Sequence, residues 1–180
     1  MTGKNILLRA VEPSDIDLLY KWENDTLIWY LSNTITPFSK FTLEKYIINT
    51  HLDIYATKQL RLMIDLINNS ENDDKTIGCI DLFDFDPNNK RAGIGILINK
   101  KQRNKGYASE SLEIIIKYSF NTLKLHQLYC NISIDNILSL KLFKKYNFQI
   151  IGVKKQWLQI NNEWKDEYML QLINAKSLSK

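Results

Sequence analysis

The chain changes hydrophobic period several times, and each change marks a new element. Residues 5–11 form a short β-like run. Pro13-Ser14-Asp15 then opens a helix with Leu18, Leu19 and Trp22 as its apolar stripe. Proline suits the first turn, and Asp15 and Asp17 suit the positive end of the helix. An aromatic-rich connection over 26–40 shows no clean period; helical spacing resumes over 41–55 through Leu43, Tyr46, Ile47 and Ile54. Residues 60–66 alternate strictly, which predicts a strand with one face buried. Two further strands follow, 77–85 and 91–98, separated by polar turns at 68–75 and at Asp86-Pro87-Asn88-Asn89. These three runs predict an antiparallel meander. Beyond a polar loop at 100–105, residues 107–123 return to helical spacing, with Leu112, Ile115, Ile116 and Ser119 on one face. A strand at 128–134, a helix at 136–146, a strand starting at 148–152 and another at 164–173 after the Asn161-Asn162 turn complete the chain. Strand, helix and strand in that order imply a βαβ crossover. The pattern therefore predicts an α/β fold with a mixed sheet. No repeat or linker divides it, so residues 1–180 read as a single domain.

Composition narrows this picture. The chain has 180 residues, 44% of them hydrophobic, which suits one globular domain. No apolar run approaches the ~20 residues of a membrane span. Charge interrupts the N-terminus before any signal-peptide core forms, so a cytoplasmic protein is expected, with no membrane partner. Cys79 and Cys130, with only His51 and His126 beside them, give neither a disulfide framework nor metal-ligand spacing, and no metal is expected. The net charge of +4 is too mild to argue for nucleic acid. It is, however, local. Lys100, Lys101, Arg103 and Lys105 fall within six residues, and no aromatic platform for bases interleaves them.

That loop carries the chemistry. It joins a strand to a helix and ends in Gly106-Tyr107-Ala108. The unpaired N–H groups and dipole of a helix's first turn favour an anion. Small residues at 106 and 108 let a phosphate approach the backbone. The alternative is a solvated, lysine-rich turn. The spacing Arg103-x-x-Gly106-x-Ala108 resembles the Arg/Gln-x-x-Gly-x-Gly/Ala signature of the GNAT superfamily of acyl-CoA-dependent N-acetyltransferases. Asn136-Ile137-Leu138-Ser139, followed by Phe143, resembles that family's Asn-x-x-Ser/Ala…Phe helix. The stretches Leu8-Arg9 and Trp22-Glu23-Asn24-Asp25 look like the branch of ribosomal-protein N-terminal and spermidine acetyltransferases.

The resemblance implies a GNAT-like fold, with an antiparallel meander, a βαβ crossover and a central sheet splayed open after residue 98. It implies acetyl-CoA as co-substrate and an amine acceptor, either a small amine or polyamine or a protein N-terminus. Backbone groups at Leu97 and Ile98 would pair with the pantetheine arm. Arg103, Asn104, Lys105, Gly106, Tyr107 and Ala108 would hold the pyrophosphate, Asn136 the cofactor arm and Lys144 or Lys145 an outer phosphate, the alternative for either lysine being a solvated helix position. Trp22, Glu23, Trp29 and Tyr30 are candidates for the acceptor pocket. Two departures stand out. Many relatives use a tyrosine as the acid for the departing thiolate where this chain has Phe143, which leaves Ser139 as the hydroxyl at a family position. Many also carry Glu in an Ala-Glu-Ile-Gly stretch, where this chain reads Ala92-Gly93-Ile94-Gly95. Asp81 and Asp84 are the candidate bases in its place; in a regular strand they point to opposite faces. A non-catalytic acyl-CoA sensor on the same fold is the competing reading. The acceptor and the oligomeric state stay open, with a homodimer among the alternatives.

Overall fold

The structure, a computed structural model, describes residues 1–32, 34–68 and 75–175. Strand β1 (Ile6–Ala10) leads through a proline-started 3-10 turn into α1 (Ile16–Glu23). Three short helices follow: α2 (Trp29–Ser32), α3 (Lys40–Asn49) and α4 (Ile54–Thr57). Strands β2 (Leu60–Leu66), β3 (Thr76–Asp86) and β4 (Arg91–Ile98) form the expected meander. Helix α5 (Tyr107–Asn121) crosses to β5 (Gln127–Ser133), which runs parallel to β4. Helix α6 (Ile137–Lys145) and the long hairpin of β6 (Gln149–Ile160) and β7 (Glu163–Ile173) close the chain. Among the described residues the sheet has seven strands in the order β1-β2-β3-β4-β5-β7-β6. Asn161 and Asn162 both take left-handed φ, 51° and 62°, as a two-residue hairpin turn requires.

Two expectations about the first half change. The helix anticipated over 41–55 is two helices. Asp53 caps α4 by accepting from the backbone N–H groups of Tyr55 and Ala56, which starts a new helix instead of continuing the old one. The break has a packing reason. Leu43 and Ile47 pack beneath α1 with Leu19, Trp22, Met63 and Cys79, whereas Ile54 packs against the core on the α5 side with Leu82, Ile94 and Leu112. The connection over 26–40 contains a helical turn, α2. The polar turn expected at 68–75 falls largely on residues 69–74, outside those described.

The alternation in β2 predicts one wet face, yet Met63 and Asp65 are both buried. Helices α1 and α3 cover that side, so the central strands are dry on both faces. Asp65 is accommodated by partners. Its oxygens accept from Arg9 Nε at 2.8 Å and Thr76 Oγ1 at 2.8 Å, while the remaining Arg9 nitrogens bind Asp15 at 2.7 and 2.8 Å. A buried carboxylate without such pairing would be costly.

Candidate active site

Strands β4 and β5 pair only over three residues, where Arg91, Ala92 and Gly93 face Gln127, Leu128 and Tyr129. Beyond Gly93, β4 stays with β3 and β5 turns to β7. The sheet therefore splays, and the backbone groups that face the wedge have no strand partner there. Such groups are ready to pair with an amide-bearing chain. The wedge opens into a cleft of about 820 Å³. Its walls are Ile96, Leu97 and Ile98 from β4, the loop and first turn of α5, and the end of β5 with the start of α6. Thr26, Leu27 and Tyr30 lie across one side.

The α5 mouth has the uncapped geometry that favours an anion. Gly106 is the N-cap with φ 89°, a conformation that L side chains rarely adopt. No side chain caps this helix, so none of its first-turn donors is consumed from within. Arg103, Asn104, Gly106, Tyr107 and Ala108 all line the cleft. Arg103 Nε donates to the Ile98 carbonyl at 2.9 Å, which ties the loop to the end of β4. Lys105 is not among the residues lining the cleft; its ammonium donates to Gln102 Oε1 at 2.8 Å. Gln102 is itself buried and lines the cleft, a residue the motif reading passed over. Its only signal in the sequence is an uncharged side chain inside a basic run.

Helix α6 supplies the opposite wall. Asn136 caps it, its Oδ1 accepting from Ser139 N at 3.2 Å, so its amide NH2 is the part left for a ligand. Ser139 lines the cleft, and among the described residues no hydrogen bond engages its hydroxyl. Phe143 is buried and packs edge-on against Phe148 at 5.0 Å, with no contact with the cleft. Lys144 is exposed and outside the cleft. Lys145 reaches toward the α5 mouth instead, donating to Ser109 Oγ at 2.9 Å; the Tyr146 hydroxyl meets the same oxygen at 2.9 Å.

The carboxylates lie on the other side of β4. Asp81 is gripped by Arg61, with Nε on Oδ1 at 2.7 Å and Nη2 on Oδ2 at 3.0 Å, and the third Arg61 nitrogen binds Glu23 Oε1. Burial opposes the guanidinium's charge, yet Asp81 beside it holds its pKa well above the usual arginine range. Asp84 is exposed and accepts from the Tyr129 hydroxyl at 3.1 Å. Burial and the Asp84 charge push that phenol up to about 12, so it remains a donor at neutral pH. The simple alternation of Asp81 and Asp84 fails. Asp84 has φ 48° at a register break, and this bulge brings it to Tyr129, whose ring meets Phe83 edge-on. Gly93, at the position of the family's missing Glu, is covered by that same ring: a Cβ there would sit 2.3 Å from Phe83. Neither aspartate lines the cleft wall directly.

Of the acceptor candidates, Tyr30 lines the cleft and the others do not. Trp22 is a buried core residue. Trp29 Nε1 donates to the Glu23 carbonyl at 2.8 Å, which folds the aromatic loop back onto the end of α1. Among the described residues, no group of three or more His, Cys, Asp or Glu is placed to hold a metal ion, and no helix is long and apolar enough to cross a membrane.

Comparison with known proteins agrees with this geometry. The N-acetyltransferase YnaD of Bacillus subtilis (strain 168) is 28% identical over 98% of this chain and 98% of its own length. The spermidine N(1)-acetyltransferase of Vibrio cholerae is 22% identical over 99% of this chain and 98% of its own. The crystal structure of spermidine N-acetyltransferase from Vibrio cholerae in complex with CoA and spermine superposes with a TM-score of 0.85 at 22% identity, covering 98% of this chain and 100% of that one. Residues 5–149 match the acetyltransferase (GNAT) domain model. The chain thus belongs to the GNAT acetyltransferase family, and its activity is the transfer of an acetyl group from acetyl-CoA to an amine.

Proposed function

We propose that this enzyme acetylates a primary amine of the polyamine class. The observation that carries the reading is the splayed cleft, with the uncapped α5 mouth in its wall and the carboxylates of Asp81 and Asp84 outside its lining, on the β3 side of β4. The first suits a pyrophosphate, and the second suits a cationic acceptor. The spermidine acetyltransferases among the relatives support the acceptor class.

In this reading Arg103, Asn104 and the N–H groups of 106–108 hold the pyrophosphate. Leu97 and Ile98 pair with the pantetheine arm, and the Asn136 amide donates to it. Lys105 and Lys144 contribute charge from outside the cleft. Acetyl-CoA supplies an acetyl group on a thiol leaving group. The amine must be neutral before its lone pair can form the new C–N bond. Asp81 has both oxygens engaged by Arg61, whereas among the described residues one Asp84 oxygen has no donor, so Asp84 takes the amine proton. The C–N bond forms as the thioester C=O opens to a tetrahedral adduct, whose nitrogen sheds its second proton to water; as the C=O reforms and the C–S bond breaks, the electron pair stays on sulfur, and Ser139 gives it a proton and regains one from water. Trp29 and Tyr30 cover the alkyl part of the acceptor. Trp22 supports the loop from the core.

A thiol-release assay across an amine panel tests this. Turnover with diamines and triamines is expected, and Asp84→Asn lowers kcat about 100-fold, the low end for general base catalysis. Gly106→Glu abolishes acetyl-CoA binding. Unchanged binding in that variant overturns the reading of the loop, and tight acetyl-CoA binding with no turnover on any amine establishes the sensor reading instead.

Self-association is also proposed. Strand β6 is a sheet edge, and the hairpin exposes Ile151, Val153, Trp157 and Trp164, an apolar face that a second copy would cover. A relative from Vibrio cholerae forms a dodecamer. Sedimentation of Trp157→Glu distinguishes an assembly that dissociates from a chain that was monomeric throughout.

A further inference from the structure

Asp81, set aside above as the base, belongs to a half-buried polar cluster built around Arg61. Arg61 extends from β2 beneath α1 and α3 and uses three nitrogens on two carboxylates. Only a planar guanidinium fork can do this, since a lysine offers one point charge. The three side chains are 15–20% exposed. Two carboxylates against one guanidinium leave the cluster with one net negative charge, in surroundings where water screens it poorly. Tyr46 closes it from α3, with its ring centroid 5.6 Å from Arg61 Cζ.

Its place in the fold is informative. Asp81 is the cross-strand partner of Gly95, and the next three β4 residues, Ile96, Leu97 and Ile98, line the cleft. At half-buried Gly95 a Cβ would meet only the Phe83 ring edge, in ordinary contact at 3.8 Å. Glu23 lies just before Thr26, Leu27 and Tyr30, which line the cleft from above. The cluster thus sits behind the inner end of the cleft. Its oxygens are also unequal. Both Asp81 oxygens are engaged by Arg61, but of Glu23 Arg61 takes Oε1, and among the described residues nothing donates to Oε2.

We propose that Arg61 is a positioning residue of the acceptor site. It closes Asp81 into a clamp and presents the free oxygen of Glu23 to the second ammonium of a diamine-type acceptor. This rests on the polyamine reading and deepens it. A purely structural tie between α1 and the sheet would need no residual charge, because an apolar pair holds elements together at least as well.

The test pairs two acceptors of equal length, hexylamine and 1,6-diaminohexane, against wild type, Arg61→Lys and Glu23→Gln. Wild type is expected to prefer the diamine. In each variant the ratio of diamine to monoamine kcat/KM falls about 10-fold, within the range for a lost charged hydrogen bond. The change is carried by the diamine KM, with acetyl-CoA KM unchanged. The double variant loses no more than the larger single loss, because both substitutions remove one contact. Glu23→Gln keeps the side chain's size and serves if Arg61→Lys folds poorly. A wild-type preference that survives in both variants overturns the Arg61 proposal alone. So does an equal loss on both amines accompanied by a lower Tm. A wild type that treats the two amines alike overturns the polyamine reading itself, and this proposal with it.

Discussion

Gly93 explains why this chain departs from its family's usual base. The Phe83 ring fills the space a side chain at 93 would need, and the nearest approach would be 2.3 Å. A carboxylate at 93 therefore cannot simply be restored. Gly93→Ala is expected to destabilise the protein by about 1–3 kcal/mol through overpacking. Adding Phe83→Leu should recover most of that loss. Thermal unfolding of the single and double variants checks this, and a Gly93→Ala protein as stable as wild type removes the steric account. Gly106 differs in kind. Nothing lies within 4 Å of a Cβ there, and only its positive φ asks for glycine. The sequence marked both glycines but gave no means to separate the two reasons, since one is local backbone geometry and the other depends on a ring from the neighbouring strand.

At the scale of elements, α5 and α6 begin differently, and the difference divides the labour. Helix α5 starts at a glycine with no capping side chain, so its donors stay available. Helix α6 starts at Asn136, whose Oδ1 caps Ser139 N. One residue thus fixes the helix through its Oδ1 and keeps its amide NH2 out of the cap. Asn136→Ala should cost about 1 kcal/mol of stability, the usual loss for an N-cap. Asn136→Asp keeps the cap and removes the amide. If the amide serves acetyl-CoA, isothermal titration shows weaker binding in both variants while only Asn136→Ala loses stability. Equal affinity in Asn136→Asp and wild type confines the residue to capping. The βαβ crossover and both helix starts were legible in the sequence, because caps and glycines act within a few residues. The division of 41–55 into two helices was only half legible. The Asp53 cap is a local signal, but it is decisive because Ile54 belongs to a different core from Leu43 and Ile47.

At the scale of the whole molecule, the meander is tied to α1 by one buried network. Arg9 on β1 binds Asp65 on β2 and Asp15 at the start of the helix. Burial alone would raise the Asp15 pKa, but the Arg9 hydrogen bond, the Glu12 N–H and the Arg9 charge together lower it. A carboxylate with a depressed folded-state pKa stabilises the protein at pH values above its unfolded value, near 3.8. That contribution is lost as pH falls through the lower folded value. Asp15→Asn should therefore reduce stability at pH 7 and flatten the acid limb below pH ~4. Urea unfolding at pH 7 and pH 3 measures both, and a mutational loss of the same size at the two pH values excludes the linkage. The sequence by itself determined the meander, the βαβ crossover, the uncapped glycine start of α5 and the family, because period, capping and short motifs are written in neighbouring residues. Even the net charge of +4 equals the charge of residues 100–105. Tertiary structure alone decided which groups are free to act. Asp81 and Asp84 look alike in the sequence. Arg61, 20 residues before Asp81, occupies both oxygens of the first, and a bulge turns the second toward Tyr129. A side chain's availability depends on what the fold brings within about 3 Å of it, and that distance is unrelated to separation along the chain.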